Sequence, residues 1–208
     1  MTNNSVKTSS TNNKATAMPT VEFLEAIKSI KKLANHKTIK INELHPPKHF
    51  VELSFAIRGV VKDDLTTNGK LIILYSQKYD PDWKGNFRII AEVCSKIDYN
   101  SYSASTINEK IGDIITEKLE EIGAVRSGGN VTCHFEKKFG EMREVNCPNL
   151  EDEEERDLLV RASWTPADNK ILPSAILWCE LLDTVSQLDD IFIDDENVIK
   201  FTTSIKTV

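Results

Sequence analysis

Apolar residues recur at steps of three and four in two stretches of the chain, which is the spacing of an amphipathic helix. Residues 21–34 place their apolar side chains on one side and most of their lysines on the other, with Thr20 as the capping residue before them. Residues 106–122 follow the same period, open with a capping box closed by Glu109, and stop before Gly123. The pattern predicts a helix over each stretch.

A third apolar stretch, residues 173–187, is compatible with two structures. Its apolar residues are roughly in helical phase, and Pro173 suits the first turn of a helix. The segment AILWCELL within it would also suit a buried strand, and periodicity does not separate the two. We expect a helix here and keep a strand as the alternative.

Alternation of apolar and polar residues, the period of a half-buried strand, occurs elsewhere in the chain. It is clearest over residues 51–61, where Gly59 interrupts it and indicates a bulge or a strong bend. Shorter runs of strand character predict strands over residues 37–44, 158–164 and the C-terminal 198–208. Strands therefore outnumber helices.

Two pairs of neighbouring strands are close enough in sequence to predict hairpins. Apolar runs at 71–75 and 87–93 flank a loop, 77–86, that contains a proline and a glycine as turn residues. Residues 131–139 alternate and are followed by a turn and the short run 142–147. Because hairpins join antiparallel strands, an antiparallel sheet is expected.

The order of these elements predicts the fold class. The strands are connected mainly by hairpins, and the helices do not alternate with strands as they do in a parallel α/β protein. We expect an α+β fold: a bent antiparallel sheet, or a partly open, OB-like barrel, with two or three helices. Residues 1–18 are rich in Ser, Thr and Asn and predict a flexible N-terminal arm, and residues 19–208 predict a single α+β domain.

The net charge of −6 conceals an uneven distribution. Residues 26–90 hold twelve Lys and Arg against six Asp and Glu, whereas residues 151–200 hold four against fourteen. The acidic total disfavours tight, non-specific binding to duplex nucleic acid, but a basic half can present a local face to a polyanion. Two differently solvated surfaces would give the same distribution.

The common signatures of enzymes and cofactor sites are missing from the sequence. There is no G-x-G-x-x-G, G-x-x-x-x-G-K-[ST], H-E-x-x-H or G-x-S-x-G. His45 and His49 are four residues apart, but Pro46 and Pro47 prevent the helix that would align them on one metal. We expect no metal, no cofactor and no catalytic residues, with an enzyme of unrecognised type as the less favoured alternative.

The cysteines and the absence of apolar segments predict the compartment. Cys94, Cys133, Cys147 and Cys179 are scattered without a C-x-x-C pair and lie on or beside apolar runs, which indicates reduced core thiols. The N-terminus lacks the apolar part of a secretory signal, and no run approaches about 18 apolar residues. We expect an intracellular protein, cytoplasmic or nuclear, with no membrane partner.

The predicted loop 77–86 offers the candidate binding site. Aromatic residues are interleaved there with cations, and single-stranded nucleic acid is bound in this way because bases stack on rings while cations follow the phosphates. The candidate residues are Lys78, Tyr79, Trp83, Lys84 and Arg88, extended by Arg58, Lys62 and Lys70 on neighbouring strands. The aromatic side chains could instead be buried in the core.

A second candidate surface is the strand end that carries Arg161 and Trp164, two residue types enriched at protein interfaces. The leading functional expectation is a binding protein for single-stranded DNA or RNA. The alternative is a structural or interaction protein, coat-like or scaffolding, that assembles through protein partners or self-association.

Overall fold

A computed structural model of the protein describes residues 18–45, 53–96, 104–133, 135–140 and 158–188. Almost all of the expected flexible arm lies outside them, as do the expected second strand of the 131–147 hairpin and the expected C-terminal strand.

Seven strands form one antiparallel sheet in the order β1-β2-β3-β4-β7-β5-β6. The strands are β1 Ile39–Leu44, β2 Leu53–Val61, β3 Asn68–Asp80, β4 Gly85–Ser95, β5 Val125–Cys133, β6 Phe135–Gly140 and β7 Leu158–Thr165. The sheet is bent and is not closed into a barrel, since β1 and β6 stand at its two ends in the described part of the chain. The expected α+β fold with an antiparallel sheet is confirmed.

Three helices accompany the sheet: α1 Val21–Lys31, α2 Ala104–Glu121 and α3 Ile171–Ser186. The Oγ1 of Thr20 accepts a hydrogen bond from the N–H of Phe23 at 3.2 Å, so the predicted cap of α1 is confirmed. Gly123, just past α2, has φ +66°, a conformation that favours glycine. The helix predicted over residues 173–187 is also confirmed.

The helices lie on one face of the sheet, which we call the inner face, and enclose the main core. Alternate residues of the central strands point into it, among them Ile73 of β3 and Ile89 of β4. The rings of Trp164 and Trp178 are completely buried there, and each indole N–H donates a hydrogen bond, to the Ser174 hydroxyl at 2.9 Å and to a backbone carbonyl at 3.2 Å.

Gly59 does not form the bulge expected from the sequence. It pairs regularly with Ile41 and Gly69, and β2 continues through it. A Cβ at this position would lie 2.7 Å from Cη2 of Trp178 and 2.9 Å from Cδ1 of Leu182. The glycine is therefore needed because α3 packs directly against the backbone of β2.

The first predicted hairpin is present, but its loop is shorter than expected. β3 continues to Asp80 and β4 begins at Gly85, so the predicted loop 77–86 is reduced to residues 81–84. An irregularity in the pairing between Tyr75 and Asp80 takes up the extra residues of β3. The Asp80 carboxylate then closes the turn by accepting hydrogen bonds from the backbone N–H groups of Asp82, at 2.8 Å, and Trp83, at 3.1 Å.

Two other boundaries differ from the prediction. Helix α2 begins at Ala104, so Thr106 lies inside it and does not cap it. The run 131–139 is not one strand, because Cys133 pairs directly with Phe135 and the chain reverses there. Alternation on both sides of a reversal without Gly or Pro gives no sign of the turn in the sequence.

Candidate binding face of the sheet

The face of the sheet opposite the helices, which we call the outer face, carries a small apolar cluster. Ala56, Ile72, Leu74 and Ile90 alternate with the core residues on β2, β3 and β4, and all are buried. Among the described residues, Leu44 and Trp83 pack against this cluster. The indole of Trp83 is therefore half-buried on the outer face, and it is neither in the main core nor fully displayed to solvent.

A row of polar residues crosses the outer face beside the apolar cluster. The register places Arg58 opposite Lys70, Lys70 opposite Glu92, Glu92 opposite Arg161, and Arg161 opposite Asn130. Directly paired residues point to the same face. Five strands thus bring three cations and one carboxylate into line, although the residues are up to 103 positions apart in the sequence.

The cations of this row differ in exposure. Arg58 is exposed, and Lys70 is partly buried. The Nε of Arg161 lies 3.5 Å from Oε2 of Glu92 and makes no hydrogen bond. The Glu92 side chain is 7% exposed and the Arg161 side chain 28%, so this ion pair is shielded from water. Among the strand residues whose side chains are described, Glu92 supplies the one carboxylate of the outer face, and Arg161 neutralises it.

Arg88 lies further along β4 on the same face and is 5% exposed. Its Nη1 donates to the Thr165 hydroxyl at 3.1 Å and its Nη2 to the Arg126 carbonyl at 3.0 Å. In the described part of the chain no carboxylate lies within 4.0 Å of the Arg88 guanidinium. Burial and the nearby positive charge of Arg126 lower the pKa of Arg88 to about 10. The outer face therefore holds a buried cation with neutral partners.

Two further polar groups of the outer face lack partners among the described residues. The Oγ of Ser163 is buried and makes no hydrogen bond. The indole N–H of Trp83 likewise has no acceptor, in contrast to the two indoles of the main core. Native structures leave few buried groups such as the Ser163 hydroxyl unsatisfied, and a bound water, ion or ligand commonly accounts for them.

The end of the β3–β4 hairpin carries the remaining candidates for binding. Tyr79 is 63% exposed, and Lys78 and Lys84 are also exposed. Two acidic residues, Asp80 and Asp82, share this end. It therefore displays an aromatic ring but little net positive charge.

Two of the predicted site residues lie away from the outer face. The Nζ of Lys62 donates to the carbonyls of His36 and Lys37, both at 2.8 Å, and holds the chain that enters β1. Trp164 and Arg161 are three residues apart on β7, so their side chains point to opposite faces of the sheet. Trp164 points into the main core and is completely buried, and the two residues cannot form one surface patch. The prediction of a shared interface at Arg161 and Trp164 is therefore corrected.

Sequence reasoning assigned no role to Ser163, Thr165 or Arg126. Their positions beside Arg88 depend on the β4–β7 and β5–β7 pairings, which join segments far apart in the chain. No motif or spacing in the sequence marks them. Nor did the sequence show that Arg88 would be buried, because strand alternation alone does not say what covers a face.

The described residues contain no group of three His, Cys, Asp or Glu that could hold a metal ion. Across the same residues, no helix is both long and apolar enough to cross a bilayer. The Thr38 hydroxyl lies 3.2 Å from Nδ1 of His36 and donates to the Asp183 carboxylate at 3.0 Å, at an exposed position away from the outer face. The outer face itself offers cationic and hydroxyl donors, which are groups that can bind an anion.

Comparisons with known proteins give a family but no activity. No curated protein and no solved structure matches the chain. The model of one family, DUF3000, matches residues 19–190, which include the whole described sheet and all three helices. The chain therefore belongs to this family, whose description is "Protein of unknown function (DUF3000)".

Proposed function

We propose that the chain is a non-catalytic binding protein that holds single-stranded nucleic acid, DNA or RNA, across the outer face of its sheet. The observation that carries the proposal is that Trp83, Arg88, Arg58 and Lys70 all lie on this one face. The sequence had indicated all four as residues that bind nucleic acid. Arg161, first considered for a protein interface, joins them. A nucleic-acid ligand fits the expectation of an intracellular protein.

The polar row has suitable dimensions for a strand of nucleic acid. Strands in a sheet are about 4.8 Å apart, so the row from Arg58 to Asn130 extends over about 19 Å. Stacked nucleotides of one strand are spaced by about 3.4 Å, and several phosphates would lie along this length. Glu92 reduces the charge of the row, so we expect moderate affinity that decreases with salt.

The aromatic residues supply the second component of such binding. Tyr79 is well exposed, and Trp83 presents part of its ring and an indole N–H without an acceptor among the described residues. A base stacked on an aromatic side chain contributes about 1–3 kcal/mol. Two rings at the hairpin end of a face that also carries cations would therefore allow binding with little preference for sequence.

The test is a titration of the protein with short oligonucleotides of thymidine or uridine at low salt, followed by tryptophan fluorescence. Trp164 and Trp178 are completely buried, so quenching by a stacked base would come from Trp83 and should disappear in Trp83→Phe. Substituting Arg58→Gln or Lys70→Gln should each reduce the slope of log K against log salt by about 0.7.

The matched control for these charge changes is Lys28→Gln. Lys28 is exposed on α1, on the side of the sheet that faces away from the outer face. Its removal should leave the slope unchanged. Equal losses in the Lys28, Arg58 and Lys70 variants, or no quenching at about 20 mM salt, would refute the proposed site.

A protein-interaction role is the second candidate, and exposed apolar residues favour it. Met18, Val21 and Leu24 at the start of α1 are 81%, 73% and 52% exposed. Exposed apolar side chains grouped at one end of a helix are common where proteins associate. Sedimentation of the wild type and of Val21→Glu over a range of concentrations tests it: self-association that the substitution abolishes and that oligonucleotide does not alter would favour this role.

A further inference from the structure

The buried guanidinium of Arg88 needs an explanation beyond packing. A guanidinium carries five N–H donors and a full positive charge. Its two hydrogen bonds go to neutral oxygens, of Thr165 and of Arg126, and Arg126 adds a second cation nearby. Burying a charge without a counter-ion destabilises a fold, and such arrangements are typical of sites that receive a charged ligand.

The register places a second donor at the right distance from Arg88. On β7, Arg161, Ser163 and Thr165 point to the outer face in succession, and the hydroxyl of Ser163 has no partner. Thr165 contacts Arg88, so Ser163 lies about 7 Å from that contact along the strand. A single phosphate, whose oxygens accept hydrogen bonds at about 2.8 Å from each donor, spans such a gap.

We propose that Arg88 and Ser163 form a subsite for a terminal phosphate group at the end of the outer face, with Arg126 contributing positive charge. The inference rests on the proposed function, since it assigns the strand's end to this position. Trp83 lies beside the subsite, because its carbonyl accepts a hydrogen bond from the same Thr165 hydroxyl, at 2.6 Å.

Burial decides in favour of a terminal group over a phosphate within the strand. Arg88 and Ser163 are 5% and 4% exposed, so only a small group can reach them. A phosphodiester is attached to the chain on two sides, whereas a terminal phosphate is attached on one and carries more charge, about −1.5 to −2 at pH 7. Glu92 does not repel it from this position, because Glu92 is paired with Arg161.

The first experiment uses inorganic phosphate alone and records thermal unfolding. Phosphate at tenfold its Kd should raise the melting temperature of the wild type by about 3–6 °C relative to chloride of equal ionic strength. Phosphate also stabilises proteins without binding, so the readout is the difference from Arg88→Met. In Ser163→Ala, at least half of this Arg88-dependent rise in melting temperature should be lost. This variant keeps the buried charge, so it also serves as the test if Arg88→Met folds poorly.

The second experiment compares oligonucleotides of one sequence that end in a phosphate or in a hydroxyl, at either terminus. We expect the phosphorylated strand to bind the wild type about tenfold more tightly and to lose this preference in Arg88→Met and Ser163→Ala. Arg58→Gln, on the same face but exposed, should weaken both strands equally and retain the preference.

The outcomes separate this inference from the proposed function. Binding of both strands with equal affinity would overturn the subsite and leave the function standing. Failure of both strands to bind, with an Arg88-dependent phosphate shift, would overturn the function and support a site for free phosphate. A phosphate shift that is the same in the wild type, Arg88→Met and Ser163→Ala would overturn the subsite in either form.

Discussion

Replacing Arg88 by methionine tests whether the fold carries an uncompensated charge on its outer face. Burial and the charge of Arg126 lower the pKa of the Arg88 guanidinium to about 10, below its ordinary value of about 12.5. One pKa unit corresponds to about 1.4 kcal/mol, so keeping the charge in the fold costs about 3 kcal/mol. Methionine removes this cost while it fills most of the same space.

The substitution also removes two hydrogen bonds. The Thr165 hydroxyl and the Arg126 carbonyl lose their donor, and each loss costs about 1 kcal/mol. The expected net effect of Arg88→Met is therefore a stabilisation of about 1 kcal/mol. Such a gain is expected where a group is retained for binding at the expense of stability.

Urea unfolding at pH 7 in chloride, followed by circular dichroism, measures this difference. Because the folded pKa of Arg88 is lowered, its penalty is fully present below about pH 10 and is relieved only as the pH rises through that value. The difference between variant and wild type should thus be constant between pH 6 and 9. Arg58→Met is the control: Arg58 is exposed, and we expect a change within about 0.5 kcal/mol.

One result would refute this reasoning. If Arg88→Met is destabilised by about 2 kcal/mol or more while Arg58→Met is unchanged, the guanidinium is a structural group whose hydrogen bonds outweigh its desolvation. Burial of Arg88 would then no longer indicate a site for a charged ligand.

Two further predictions concern the core beneath the face. Gly59→Ala places a Cβ 2.7 Å from Trp178 and should destabilise the protein by about 1–3 kcal/mol in urea unfolding; the cost should fall in a Trp178→Phe background, and an equal cost in both would contradict the packing described. Burial raises the pKa of the Cys179 thiol to about 12, so stability should decrease as the pH rises above about 9, where the unfolded thiol ionises. At pH 8 a thiol reagent should modify Cys179 only after urea is added, and rapid labelling of the native protein, located by peptide mass, would contradict its burial.

The periodicity of the sequence was sufficient for the elements whose stability is local. The three helices and the strands of residues 53–61 and 158–165 appear within a few residues of their predicted positions. In these segments the apolar period, a capping threonine or a terminal glycine acts over four residues or fewer. The α+β class follows from the same information, since hairpin-linked strands pair antiparallel in any arrangement of the sheet.

The candidate site was predicted in part, and for a physical reason. Aromatic and cationic residue types pointed to Trp83, Arg58, Lys70 and Arg88, which lie on one face of the sheet. The sequence could not show that the ring of Trp164, within β7, is completely buried while that of Trp83, in the β3–β4 turn, is only half-buried, because nothing local states which indole finds an acceptor and a covering neighbour. It also could not show the role of Gly59, whose constraint comes from a helix more than a hundred residues later.

The sequence by itself determined most of the segments that are helical or extended and the side of each that packs into the main core, because these properties depend on neighbours within one or two turns of the chain. Only the tertiary structure decided which strands are neighbours in the sheet and which side chains are therefore in contact. Inserting β7 between β4 and β5 places Ser163 and Thr165 next to Arg88 and pairs Arg161 with Glu92. A buried charge is costly or neutralised according to such neighbours, and long-range strand pairing supplies them.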